Sequence, residues 1–307
     1  NIEVARFVRY HWISSRETVT MGKLYKSVKG ATSDRGWRQL LDDLHADSKL
    51  LNHLMTGTIP NPSSLSSIVE INSKLRAING MGFAQCYVLL LSIFRNRERL
   101  DFSWDELNVL ISEIENFNFL YHTICSRPAN KVERFYSRQA IRIQEVGNDE
   151  DGHTRFRSRI NAIYNELSEL KPSRIEFIED FKSGTQYTNS TKKKNLIRYI
   201  LGRLEESRYP AQIRERPIDD SISIEHILPQ KPDEHWSLTE DEVRSYVHLI
   251  GNLVLVGAGF NASARNYDLE RKISALKETA IHTTSDLLTQ IERDLPPNWT
   301  QEEIEER

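Results

Sequence analysis

A chain of 307 residues with a formal charge of -3 and only two cysteines excludes several function classes at once. Its 38% apolar and 28% charged residues describe a globular protein of about two folding units, without the basic excess of a general polyanion binder. Cys86 and Cys125 form no C-x-x-C pair, no G-x-x-x-x-G-K-[ST] loop is present, and the longest apolar run, Tyr87 to Phe94, is too short for a membrane span.

The chain opens at Asn1 within a helical pattern and without a signal peptide, so it reads as a piece of a longer protein in a reducing cytoplasm. Residues 1 to about 182 predict helix after helix. Gly82 to Arg95 is apolar enough for a buried central helix. Trp104 to Phe117 follows a Ser103/Asp105 capping region and puts Leu107, Leu110, Ile111 and Ile114 on one stripe. Phe156, Ile160, Ile163, Tyr164, Leu167 and Leu170 recur at helical spacing. Breakers at Pro60-Asn-Pro62 and Gly147 to Gly152 separate these elements, and polar Ser183 to Thr191 predicts a seam. A helix over Lys192 to Leu204 follows, with Leu196, Ile197, Ile200 and Leu204 inside. Past Pro210 the pattern changes to a short strand over Ser221 to Leu228, a second over Leu253 to Val256, and a helix over Ala262 to Ala280 with Leu269, Ile273, Leu276 and Ala280 on one side. The expected fold class is mainly α, with an all-helical platform over 1–190 and a second domain over 191–307, its core about 218–282.

The chemistry concentrates in Glu225-His226-Ile-Leu-Pro229-Gln230, Gly251-Asn252-Leu253 and Asn261. A histidine can take a proton from water, oxygen ligands can hold a hard cation on a phosphate, and an amide can fix the loop between them. Adjacent strand residues leave on opposite faces unless the strand bends at its end, and Pro229 marks such an end. His226 is then expected to reach substrate while Glu225 turns toward a metal. Asn252 should bond the backbone that carries His226, and Asn261 should open the helix and ligate a cation. Asn266, Arg265 and Lys272 are candidates for phosphate contact.

These motifs resemble the HNH, or ββα-metal, endonucleases, most closely the C-terminal nuclease of GmrSD-type modification-dependent restriction proteins. Ile224-Glu-His-Ile-Leu-Pro-Gln230, Trp236, Ile250-Gly-Asn-Leu253, Asn261, Asn266, Lys272 and the closing Trp299-x-x-x-x-Ile304-x-x-Arg307 carry the resemblance. It implies His226 as general base, Asn252 as the loop-fixing residue, and Glu225 and Asn261 at a divalent metal. Asparagine at the third position favours Mg2+, with Mn2+ as the alternative, over zinc. It further implies DNA cleavage in bacterial defence against phage and a nucleotidase or sensor domain upstream. SspE-type defence proteins share this two-part plan.

Competing readings are few. Leu253 to Ala262 imitates a dinucleotide fingerprint, but the stretch after it is helical where a further parallel strand should be. Between Lys192 and Arg216 stand eight basic residues against three acids, so Lys192, Lys193 and Lys194 are candidates to track a DNA backbone, the bland alternative being a solvated helix face. His235 and His248 read as surface or satisfied histidines. The rival to an enzyme is a degenerate nuclease fold that only binds DNA or a partner protein.

Overall fold

The computed structural model describes residues 3–32, 36–147, 151–210, 222–232, 234–257, 268–293 and 299–307. The chain is mainly α and divides into two compact units, Asn1–Ile178 and Glu179–Arg307. No helix among the described residues is long and apolar enough to cross a membrane.

The N-terminal unit contains α1 (Val4–Ser15), α2 (Met21–Ala31), α3 (Gly36–Thr56), α4 (Ser66–Gly80), α5 (Tyr87–Asn96), α6 (Trp104–Asn118), α7 (Ala129–Gln144) and α8 (Gly152–Leu170). α5 is its centre, buried from Tyr87 through Ile93 and packed against α1, α3 and α7. It starts five residues later than its apolar pattern predicts. Gly82 has φ +75° and closes α4 instead, its N–H reaching Asn79 O at 2.9 Å while Phe83 N–H reaches Ile78 O at 3.2 Å. α6 begins at the expected place, where Ser103 and Glu106 cap each other's backbone N–H. α8 buries Phe156, Ile160, Ile163 and Leu167, as their spacing predicts. One polar cluster interrupts this core. The Asp47 carboxylate accepts from His11 Nδ1 at 2.7 Å and from the Arg95 guanidinium. Burial pushes that carboxyl up, but the bonds from His11 and Arg95 outweigh it and hold it below the usual range.

α9 (Arg174–Gly184) carries the boundary between the units, and the polar segment 185–190 lies in the C-terminal one. There follow α10 (Thr191–Arg208), β1 (Ile222–His226), α11 (Glu240–Val243), β2 (Leu253–Gly257), α12 (Leu269–Leu276), α13 (His282–Arg293) and α14 (Gln301–Glu306). β1 and β2 pair antiparallel with Ile222 opposite Gly257 and His226 opposite Leu253. Because strand side chains alternate, the ribbon has two working faces. Leu253 and Leu255, with Ile222 and Ile224, pack on Ile197 and Leu201 of α10 and on Ile281. Val254 and Val256 pack on Ile273 and Leu276 of α12 and Leu288 of α13.

Two polar ties hold α10 in place. Arg198 Nε donates to Ile222 O at 2.9 Å, and buried Glu205 accepts the backbone N–H groups of His282 and Thr283 at 2.9 and 2.8 Å, capping α13. Leu204 departs from expectation: it is 47% exposed, and Leu201 takes the inner position beside Ile197 and Ile200. α12 is shorter than predicted as well. Asp268 caps its start, accepting from Arg271 N, and it ends at Leu276, which leaves Ala280 exposed beyond it. The predicted helix start at 262–267 lies outside the described residues. Antiparallel pairing of β2 also disposes of the dinucleotide fingerprint, which needs a parallel sheet.

Candidate functional site

The site grows from the connection between the two strands. Asn252 ends a 3-10 turn, Ile250–Asn252, immediately before β2, and its side chain is wholly buried. The amide Oδ1 accepts from Leu228 N at 2.8 Å and from Trp299 Nε1 at 2.9 Å. Its Nδ2 donates to Leu228 O at 2.9 Å and to Val247 O at 2.8 Å. Ile227 N–H donates to Asn252 O at 3.0 Å, so the chain leaving His226 is sewn to the turn by main chain and side chain together. One amide, with two N–H donors and an oxygen that accepts twice, satisfies four buried groups at once.

The closing W-x-x-x-x-I-x-x-R motif finds its physical role here. Trp299 bonds Asn252, the Ile304 backbone lies against Gly251, and Arg307 Nη1 donates to Gly251 O at 2.8 Å and Leu253 O at 3.0 Å. A Cβ on Gly251 would run into the Ile304 carbonyl oxygen and stand 2.9 Å from its carbon, and both are main-chain atoms that cannot rotate away. Gly251→Ala is therefore expected to dislodge α14 and cost about 2–3 kcal/mol. Urea unfolding of the full chain checks this, and a loss below about 0.5 kcal/mol, the level of a neutral surface substitution, would refute it.

His226 is the last residue of β1 and only 5% exposed. Its Nε2 lies 3.4 Å from His248 Nδ1, and its Nδ1 lies 3.3 Å from Nε2 of exposed Gln230. Tyr187 contacts both imidazoles, edge-on to His226 with centroids 4.7 Å apart and stacked on His248 at 5.9 Å. Tyr187 N–H also donates to His248 O at 2.8 Å. Burial first, then His248 and Lys272, push His226 down to about 3, so the ring is neutral near pH 7. Burial lowers His248 too.

Glu225 leaves on the other face of β1, where its Oε1 meets Lys272 Nζ of α12 at 2.9 Å. Lys272 is 1% exposed, so this lysine, expected to approach a phosphate, is engaged inside the unit instead. Burial raises the Glu225 carboxyl despite Lys272, and burial lowers the Lys272 ammonium despite Glu225. The carboxylate already has one positive partner, so a hard cation would share it with Lys272. The described residues offer this one carboxylate; Asn261, Arg265 and Asn266 lie outside them.

Truncating Lys272 would strand that carboxylate. Lys272→Ala is expected to cost about 2–3 kcal/mol near pH 7, less than the full value for a broken buried pair because Glu225 can take up a proton. Glu225, raised in the fold, contributes stability below its ordinary 4.5 that is lost as pH rises through its folded value. Lys272, lowered in the fold, contributes above 10.5 and loses it as pH falls through its folded value. The destabilisation by Lys272→Ala should therefore shrink below pH 4.5, which thermal melts at pH 4 and 7 would read.

Lys192, Lys193 and Lys194 form the first turn of α10, capped by Ser190. Lys193 Nζ donates to Gly184 O, and Lys194 Nζ lies 5.8 Å from the Tyr187 ring centroid. Lys192 is exposed, as is His235. His248 is the residue that sequence reasoning passed over: its apolar neighbours pointed to a satisfied histidine, while its position three residues before Gly251-Asn252 was the available signal. Tyr187 had no signal at all, since it comes from a polar segment 39 residues before His226.

Residues 171–307 match the family model described as GmrSD restriction endonucleases, C-terminal domain. No curated protein matches the chain.

Proposed function

We propose, from the premise that residues 171–307 are a GmrSD-type restriction endonuclease C-terminal domain, that this part of the chain is an HNH (ββα-metal) nuclease that hydrolyses DNA phosphodiesters in bacterial antiviral restriction. The observation that carries the reading is the Asn252 lock, which pins the backbone after His226 to the turn before β2 and so holds a neutral imidazole at the strand's end. Strand, loop, strand and helix follow in the order that an HNH site uses.

A divalent ion, Mg2+ or Mn2+, held by Glu225 and Asn261, would acidify water and neutralise charge on the phosphate. His226 Nδ1, at the edge marked by exposed Gln230, receives the proton of the attacking water as its oxygen bonds to phosphorus. The phosphorus–oxygen bond to the leaving group then breaks, and the departing alkoxide takes a proton from solvent. Lys194, over the Tyr187 ring, and Lys192, Arg265 and Asn266 are the proposed backbone contacts, with Lys193 beside them in the first turn of α10. Lys272 is assigned to holding Glu225 rather than to DNA.

Burial of His226 to 5% favours one second reading, a module that binds DNA or a partner protein without hydrolysis. Supercoiled plasmid incubated with the chain and Mg2+ tests the choice: nicking that EDTA abolishes supports the nuclease, whereas retained binding without nicking supports the module. An upstream sensor domain, as in SspE-type proteins, would supply the trigger.

A further inference from the structure

The two nitrogens of His226 do not face equivalent surroundings. Nδ1 meets the side-chain amide of exposed Gln230, and Nε2 meets Nδ1 of half-buried His248. A neutral imidazole carries one N–H and one lone pair. If the Gln230 amide nitrogen donates, His226 Nδ1 must accept, its Nε2 must carry the hydrogen, and His248 Nδ1 must accept in turn. In that orientation of the Gln230 amide, the opposite tautomer would set two N–H groups against each other. Tyr187 clamps the pair from outside, stacked on one ring and edge-on to the other, and its N–H holds the His248 carbonyl.

We infer that His248 is a positioning residue of the hydrolysis: by accepting Nε2–H it keeps the lone pair of His226 on Nδ1, the nitrogen beside the side chain of exposed Gln230. The inference rests on the nuclease reading for its consequence, though the tautomer itself exists without substrate. During proton transfer the same contact steadies the imidazolium, whose Nε2–H stays directed at His248. At 3.4 Å the bond is long, so its effect is orientation more than binding energy. A rival geometry must be excluded, because roughly 3.4 Å is also the separation of two nitrogen ligands on one tetrahedral cation.

The test uses the full chain labelled with 15N-histidine. Long-range 1H–15N spectra of the metal-free protein should find His226 as the Nε2–H tautomer, and His248→Phe should convert it to a mixture. His248→Asn, whose amide oxygen replaces the accepting Nδ1, should restore it. With plasmid and Mg2+, His248→Phe should slow single-turnover nicking about 10- to 100-fold, leave DNA affinity unchanged, and be rescued by His248→Asn. Retention of the Nε2–H tautomer and the native rate in His248→Phe would overturn the inference. So would loss of Mn2+ affinity in that variant by calorimetry, which would make His248 a ligand. The spectra need no substrate, so failure of the tautomer stands apart from failure of the nuclease reading, which appears as a native chain that nicks no DNA.

Discussion

His226→Ala is expected to reduce Mg2+-dependent nicking by about 10²- to 10⁴-fold while leaving DNA affinity within a few fold. The ring is not a surface group that happens to lie near the motif: it ends β1, is almost wholly buried, and touches Tyr187 and His248. With its folded pKa at about 3, it is neutral at any ordinary working pH, so the acid limb of a pH–rate profile should not come from His226. The same shift has a stability consequence. A histidine lowered from 6.5 contributes stability that is present above 6.5 and lost as pH falls through about 3. Over that window the native chain should lose about 1.4 kcal/mol per pH unit from this group, a slope that His226→Ala removes. Urea unfolding at pH 4 and 7 measures the slope, and plasmid relaxation measures the rate. Equal nicking by native and variant chains would end the assignment of His226 as the base.

Asn252→Ala should be the most damaging single change to the C-terminal unit, costing about 4 kcal/mol. The substitution leaves Leu228 N–H, Leu228 C=O, Val247 C=O and Trp299 Nε1–H without their partner in a site closed to solvent. Each buried group stranded in this way costs about 1–3 kcal/mol, and the sum falls short of additivity because neighbouring groups relax together. Asn252→Asp separates the contributions. It retains acceptors for Leu228 N–H and Trp299 but loses both donated bonds and buries a charge, so it too should be strongly destabilised. Because the chain has two compact units, unfolding is best followed by two probes, with the transition seen at Trp299 expected to move and the other not. A shift below about 1 kcal/mol at that transition, the cost of one ordinary hydrogen bond, would mean the four bonds are not made in solution.

Local pattern made much of this legible. The stripes of α6 and α8 are set by side-chain spacing, and the β1–β2 ribbon by one alternating segment and one short apolar run, because helix and strand periodicities are local properties. The errors lie where a neighbour decides. Gly82 could have opened α5 or closed α4, and only the carbonyls of Ile78 and Asn79 make it a closing residue. Leu204 and Leu201 suit a helix interior equally, and the position of β2 and Ile281 chose Leu201.

The site divides the same way. Sequence by itself determined that an Ile-Glu-His-Ile-Leu-Pro-Gln segment and a Gly-Asn-Leu segment occur together, since residue identity and order suffice for a motif. Tertiary structure decided what each group touches: that Lys272 pairs with Glu225, that His248 meets Nε2 of His226, and that Trp299 and Arg307 bond the turn. Those pairings span 22 to 56 residues of chain, and charge compensation, tautomer choice and burial depend on distance in space, which spacing along the polymer does not encode.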